Sequence, residues 1–427
     1  MKGSAKTRFL SDLIPIPPTG TLRSPLGSLQ KIRREKLNDA MTSQAYGARC
    51  PQTVSTTEPV LIVGAGPAGL AAAAELTALR VPAEILERSN KVASAWRGRY
   101  DRLRLNTNRW QSTLPGVGFP RGTSMFPTRD DLVRYLESYA KRFELAVRFG
   151  VQVRRIDPSD SGWSVSTSAG QYLTKQVVVA IGHQHTPRLP DWPGMNMYPG
   201  RLLHSAEYRN PKDFQGADVL VVGAGCSGLE IAYDLAQGGA AQVRIAVRTQ
   251  PNIVLREWGW LPSDLLIKPL FRLPARNADA IAEFLRRHAI GDLAPCGLTP
   301  PKDGVFTSLL KGRVPSVVDV EVIEALRAGQ IEVVAGVMSV DHSGALLEDE
   351  TVLRPDVIIA ATGYTTGLDP LVGHLGVLGS SSVPHVHGGP PVQRGLRFIG
   401  YNPQIHKVRQ EARRVAQQIS EELSNDR

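Results

Sequence analysis

Cysteine is nearly absent from this chain of 427 residues: Cys50, Cys226 and Cys296 stand far apart, and no C-x-x-C pair occurs. Three scattered thiols cannot frame a disulfide-stabilised fold, and without a paired motif the chain cannot run dithiol exchange. The expectation is a reducing, cytoplasmic setting. Also missing is any run of eighteen apolar residues, so no transmembrane segment is expected. No apolar core of signal-peptide length lies near the start, which argues against secretion. Histidines at 183, 185, 204, 385 and 387 have no cysteine or acid at ligand spacing. No metal site is expected from them.

The formal charge of +10 would ordinarily raise nucleic acid or an anionic membrane as partners. Its distribution argues otherwise. Residues 1–57 hold nine basic residues against three acids, which is +6 of the total. The remaining +4 is spread along the body, where part of it can hold phosphates; no nucleic-acid partner is expected, and nothing indicates an oligomeric state. Residues 1–57 are polar, interrupted by Ile14-Pro15-Ile16-Pro17-Pro18 and without sustained periodicity. They read as a flexible basic leader, dispensable for catalysis, with Met41 as an alternative start.

Glycine, by contrast, is abundant, and it is placed twice in one pattern. Residues 60–71 read VLIVGAGPAGLA and residues 219–230 read VLVVGAGCSGLE. Each is an apolar β-branched run, then G-x-G-x-x-G, then helix formers: strand, tight turn, helix. Such a turn lets the backbone approach a pyrophosphate and offers it the free amides of a helix N-terminus. One G-x-G-x-x-G is a weak signal, but two in the same context are a strong one. Gly64, Ala65, Gly66, Pro67, Ala68 and Gly69 form the first candidate site. Gly223, Ala224, Gly225, Cys226, Ser227 and Gly228 form the second.

The end of the strand that follows each turn assigns the nucleotide. After the first, the chain returns as AEILER and places Glu87 23 residues beyond Gly64, where a carboxylate accepts hydrogen bonds from a free ribose 2′-OH. After the second it returns as AQVRIAVRTQ, with no acid but Arg248 followed by Thr249. A guanidinium there forks onto a 2′-phosphate. FAD suits the first turn and NADPH the second, and a flavin enzyme makes sense of the pair.

Between the turns lie a helical stretch, RDDLVRYLESYAKRFEL, and strand-like VQVRRI, GWSVSTS and KQVVVAIG. After the second comes SDLLIKPLFRLPARNADAIAEFLRRHAIGDL, apolar and basic together. It reads as an insertion packed over the cofactor cleft or as a membrane-surface helix, the latter opposed by Pro269 and Pro274. PDVIIAATGY and LRFIGYNP then bring the chain back, and EARRVAQQISEEL closes it as a helix. The order implies an α/β fold of two nested Rossmann-like dinucleotide-binding domains: FAD domain 58–190 and 350–427, NADPH domain 191–349. The chain would cross between them near Ala180-Ile181-Gly182 and Ala361-Thr362-Gly363.

These fingerprints, together with ASAWRGRYDRLRLNT, YPGRLLHSAEY, VRTQPNIVLRE and ATGY, resemble the flavin-containing monooxygenases, the YUCCA-type enzymes and their bacterial relatives above all. The family signature F-x-G-x-x-x-H-x-x-x-Y/F is present as Tyr198, Gly200, His204 and Tyr208. The resemblance implies an NADPH- and O2-dependent FAD monooxygenase that puts one oxygen atom into a small organic substrate through a flavin C4a-(hydro)peroxide. It also implies that Trp96 lies along the flavin and that Asn106, with Thr107, stands at the reactive edge, Asn106 as the catalytic hydrogen-bond donor. His204 reads as structural, orienting the connection between domains. The chain departs from the plant pattern near its end, where GYNPQIHKVRQEA replaces a glycine-rich stretch; that puts the plants' indole-type 2-oxo acid substrate in doubt here. The competing readings are an FAD-dependent NADPH reductase or oxidase, a Baeyer-Villiger monooxygenase, and a non-catalytic dinucleotide-binding regulator.

Overall fold

The computed structural model describes residues 53–55, 58–402 and 405–425. Its frame is set by the apolar runs that precede the two glycine turns. Val60–Val63 is buried along its whole length, as a strand must be when both faces of a parallel sheet are covered. It pairs in parallel with Ala83–Glu87 on one side and Gln176–Val179 on the other. Val147–Phe149 and Leu396–Phe398 complete a five-stranded parallel sheet at its edges.

Asp218–Val222 does the same for a second sheet. It pairs in parallel with Gln242–Val247 and with Val357–Ala360, and Glu332–Ala335 and Arg201–His204 form the edges. The two sheets therefore share one strand order. In each, the fingerprint strand is central, the strand returning from its helix lies on one side, and a strand from far along the chain lies on the other. This is the nested, doubly built α/β architecture expected from the repeated motif.

The helix Pro67–Ala78 is mostly alanine and leucine, with proline at its first turn, where no amide is needed. Small side chains let it lie close to the sheet. The closing helix, Ile405–Asn425, packs on it through Val408, Ala412, Val415, Ala416 and Ile419, one apolar face at helical spacing. An antiparallel meander, Val153–Ser159, Gly162–Thr167 and Gly170–Thr174, covers part of the first unit. A smaller one, Val337–Asp341, Gly344–Leu347 and Val352–Leu353, accompanies the second.

Two boundaries differ from the sequence expectation. Thr53–Ser55, read as leader, pairs in parallel with Gly170–Thr174 as the edge of the first meander; the rest of the leader, Met41 included, lies outside the described residues. Val357–Ala360, assigned to the FAD domain by a boundary at 350, is hydrogen-bonded into the second sheet. Its four residues are all buried, and an apolar run of that kind fills the place beside the second fingerprint strand that Gln176–Val179 fills beside the first. The return therefore falls at 361–363. There the two crossing segments are zipped together, Thr186 and Pro187 pairing antiparallel with Tyr364 and Thr365.

Pro269 and Pro274 divide the apolar and basic insertion into a short helix Ser263–Ile267, a 3-10 turn Lys268–Arg272 and a helix Ala275–Ala289. Among the described residues no helix is long and apolar enough to cross a membrane.

Candidate active site

The first turn is built by three glycines with three different tasks. Gly64 has φ +104°, and a side chain on it would press within 3.0 Å of the Ala180 carbonyl oxygen. A Cβ on Gly69 would collide with the Gly64 carbonyl, so this glycine lets the helix close onto the strand. Gly66 is different: nothing lies within 4 Å of the place its Cβ would take. It caps the helix, no side chain caps that end, and no acid stands in the first turn.

The second turn repeats this arrangement. Gly223 has φ +109° and a Cβ on it would come within 2.8 Å of the Ala361 carbonyl oxygen, a Cβ on Gly228 would collide with the Gly223 carbonyl, and one on Gly225 would meet open space. The helix Cys226–Gln237 also begins without an acid. Ala65, Ala68 and Ala224 are buried beneath the turns, while Pro67, Cys226 and Ser227 are half-buried at the helix starts. Open glycine, unpaired amides and a missing acid are what a pyrophosphate requires, so both turns fit a dinucleotide.

Glu87 ends its strand 5% exposed, with its carboxylate drawn over the first turn. It accepts hydrogen bonds from the Ala65 amide at 2.8 Å, the Ser89 amide at 2.9 Å and the Ser94 hydroxyl at 3.2 Å. Arg248 lies one residue beyond Gln242–Val247 and is exposed. Among the described residues its guanidinium has no hydrogen bond or ion pair, whereas Arg244 on the same strand is held by Asp218 and Glu332. The loop after Arg248 is fixed by Gln250, which accepts from the Thr299 amide at 3.1 Å. Gly400, in the segment where the chain departs from the plant pattern, has φ +81° and packs against Ala68 at the start of the first fingerprint helix.

The remaining candidates lie on the segment between the one-turn helix Ser94–Arg97 and the helix Arg129–Arg142. Trp96 is half-buried against the first core. Thr107 shares a 2.7 Å hydrogen bond with Ser112. Asn106 is exposed and leaves its own unit: its Nδ2 reaches Cys226 Sγ, the first helical residue of the second turn, at 3.4 Å. Asn108 is buried, and its amide and side-chain nitrogen both donate to Asp264 at 2.9 to 3.0 Å. The insertion is thereby clipped beside Asn106. The structure brings Asn106 to the second turn, while Glu87 stays on the first, Trp96 packs on the first core and Thr107 is tied to Ser112; among the described residues Arg248 makes no contact with Asn106.

Sequence reasoning missed the buried polar group beneath this contact. Cys226, Glu230 and Tyr233 share one face of the second fingerprint helix, and each meets the segment bearing Asn106. Cys226 meets Asn106 itself, Glu230 accepts from the Tyr100 hydroxyl at 2.6 Å, and the Arg102 guanidinium lies 4.3 Å over the Tyr233 ring. Arg256, 2% exposed, pairs with both Glu230 and Asp319. Burial pushes the Glu230 carboxyl up. Burial also works against the charge on Arg256, but the two carboxylates outweigh it and keep the guanidinium charged. The one local signal was an acid and an aromatic at helical spacing, Glu230 and Tyr233, in the run EIAYDLAQ.

The signature residues lie where the chain crosses between units. A side chain on Gly200 would meet the Asp356 carbonyl oxygen at 2.7 Å. His204 Nδ1 accepts from the Ala206 amide at 3.0 Å, which leaves Nε2 to donate to the Gly363 carbonyl at 3.0 Å. Burial lowers the pKa of this ring. Tyr208 is fully buried and donates to Asp234 at 2.8 Å. Both His204 nitrogens are thus engaged with backbone at the crossing.

Similarity to known proteins extends over most of the chain. A family model described as pyridine nucleotide-disulphide oxidoreductase matches residues 61–257. The chain is 37% identical over 351 residues to indole-3-pyruvate monooxygenase YUCCA1 of Oryza sativa subsp. japonica, covering 80% of this chain and 86% of that one. It is 31% identical over 370 residues to the probable indole-3-pyruvate monooxygenase YUCCA4 of Arabidopsis thaliana, covering 85% and 90%. Among solved structures, a flavin-containing monooxygenase from Stenotrophomonas maltophilia superposes with a TM-score of 0.66 at 21% identity, covering 85% of this chain and 98% of that one. OTEMO in complex with FAD and NADP gives 0.67 at 18% identity, over 87% and 84%. The solved structures speak for the fold, and the identity to the curated relatives, sustained over most of both chains, speaks for kinship: the chain belongs to the YUCCA-type flavin-containing monooxygenase family.

Proposed function

We propose that the first turn with Glu87 holds FAD, that the second turn with Arg248 holds NADPH, and that Asn106 serves the reacting ends of both. The enzyme is an FAD- and NADPH-dependent monooxygenase, and the balance of its reaction is substrate + NADPH + H⁺ + O2 → oxygenated substrate + NADP⁺ + H2O. When bound, FAD supplies the two-electron acceptor for NADPH and the means of passing those electrons to oxygen.

The chain's own residues bind, orient and exclude. Helix-start amides at Gly66 and Gly225 take the two pyrophosphates. Glu87, an acceptor only, exchanges part of its hydrogen bonding to backbone for the adenosine ribose hydroxyls of FAD. Arg248, exposed and unpaired, takes the 2′-phosphate of NADPH. Trp96 borders the flavin, and Thr107, with its hydroxyl turned to Ser112, shapes the same wall. Asn106 donates through Nδ2 to the nicotinamide carboxamide oxygen or to oxygen at the reacting edge; an amide does not titrate, so it donates alike at any working pH. The Asn108–Asp264 clip keeps the insertion over this edge and limits entry of water.

The 3.4 Å contact between Asn106 and Cys226 carries this reading, because it joins the segment beside the first turn to the second. The substrate is a small organic molecule. Indole-3-pyruvate, named for the plant relatives, is the first candidate, and the unpaired Cys226 and Cys296 suit a reducing cytoplasmic setting. The test is to measure flavin content, NADPH and O2 consumption and H2O2 release with and without indole-3-pyruvate. A yellow protein that consumes NADPH and O2 one to one, with H2O2 suppressed by substrate, is expected. NADPH consumption that yields H2O2 alone with every organic substrate tried would favour the oxidase reading.

A further inference from the structure

The contact between Asn106 and Cys226 leaves one matter open: what decides which way the Asn106 amide faces. Cys226 Sγ favours the nitrogen only weakly, because its one proton reaches towards the Pro315 carbonyl at 3.7 Å and the sulfur, a weak acceptor, already accepts from the Val317 amide at 3.2 Å. Arg256 acts on the other end of the amide. Its Nη2 lies 3.4 Å from Asn106 Oδ1, and an arginine offers only donors, so the oxygen must face Arg256 and the nitrogen must face away. The contact is long and contributes little to binding, but it separates the two orientations of the amide.

Arg256 can impose this direction only if it cannot turn, and its surroundings prevent that. One end of the guanidinium is paired with Asp319 and the other with Glu230. Glu230 in turn accepts from Tyr100 at 2.6 Å, and burial beside Glu230 keeps that hydroxyl protonated. Tyr100 lies six residues before Asn106 on the same segment. Tyr100, Glu230, Arg256 and Asn106 therefore form a closed ring that measures one segment of the first unit against the helix of the second at two points. A buried ion cluster of this kind is commonly no more stable than apolar packing of the same volume, and its use is directional.

We propose that Arg256 is the positioning residue that fixes the orientation of the Asn106 amide, with Tyr100, Glu230 and Asp319 serving to hold Arg256. This rests on the reading that Asn106 donates to the cofactor site. A misdirected amide would leave nucleotide and flavin bound but would raise the unproductive reaction, NADPH + H⁺ + O2 → NADP⁺ + H2O2. A residue that merely stabilised the fold would lower flavin content and all rates together.

The experiment is a double-mutant cycle on the full-length holoenzyme with Asn106→Ala and Arg256→Lys. Lysine keeps the charge that Glu230 and Asp319 require but loses the fork. Flavin content, the KM for NADPH and substrate-free H2O2 formation are read for each variant. Asn106→Ala should raise H2O2 formation about fivefold, the rate equivalent of one hydrogen bond. Arg256→Lys should raise it by a similar factor with flavin content and KM unchanged, and the double variant should equal Asn106→Ala alone, since Arg256 then has nothing to act through. Effects that multiply in the double variant, or a wild-type yield in Arg256→Lys while Asn106→Ala uncouples, would overturn the inference and leave the reading of Asn106 standing. A wild-type yield in Asn106→Ala would remove both. Should Arg256→Lys not fold, Tyr100→Phe opens the ring from its other side without leaving a charge. It should uncouple in the wild-type background and not beyond Asn106→Ala alone; absence of uncoupling, or a further increase, would overturn the inference equally.

Discussion

Gly69 stands so close to Gly64 that a Cβ on the third glycine of the turn would overlap the carbonyl oxygen of the first, while a Cβ on Gly66 between them would touch nothing. The two positions therefore answer substitution differently. Gly66→Val should give a folded, colourless protein whose Tm matches that of flavin-free wild type, because the new side chain fills only the space left for the cofactor. Gly69→Ala should lose flavin and destabilise the apoprotein as well, by about 1–3 kcal/mol for overpacking. Flavin absorbance and thermal melts of both variants check this; a Gly66→Val protein with full flavin content would refute the first turn as the FAD site.

Arg248 bears on nucleotide choice. It is exposed and unpaired among the described residues, so Arg248→Ala should leave the melting temperature unchanged. The lost charge-assisted hydrogen bond should raise the KM for NADPH about tenfold to a hundredfold. The KM for NADH should hardly move. Equal weakening of both nucleotides would make Arg248 a bystander.

His204 makes the protein sensitive to acid. Burial lowers its pKa below 6.5, and His183, His185 and His406 shift the same way. The unfolded chain thus takes up protons that the folded one refuses. The stability this represents is fully present above 6.5 and is lost as pH falls from there towards the lowered folded values, at no more than about 1.4 kcal/mol per pH unit for each proton. His204→Gln removes one such proton, so its Tm should fall less steeply than wild type over that window; parallel curves would exclude His204 from the effect.

Tyr208, four residues beyond the strand Arg201–His204, ties that segment to the second fingerprint helix through Asp234, whose carboxyl is pushed up by burial. Tyr208→Phe keeps the ring and removes the donor, and should cost about 1.5–3 kcal/mol, the range for a hydrogen bond to a charged group. Chemical denaturation would measure it, with nucleotide KM values expected to remain near wild type.

The sequence alone determined whatever depends on neighbours along the chain. The two turns were legible because a positive φ at Gly64 and Gly223 and the close approach at Gly69 and Gly228 are requirements of the backbone itself, written as glycine at fixed spacing. Glu87 and Arg248 were legible because a strand of known length ends at a known place. Tertiary structure alone decided the rest. Val357–Ala360 reads as an apolar strand in either domain, and only the vacancy beside Asp218–Val222 put it in the second sheet. Tyr100 and Glu230 are separated by 130 residues, and although each lies in a recognisable segment, nothing along the chain pairs the two. Their meeting, and with it the grip of Arg256 on Asn106, follows from how two separately built sheets lie against each other, since a buried charge finds its partners in space and not along the chain.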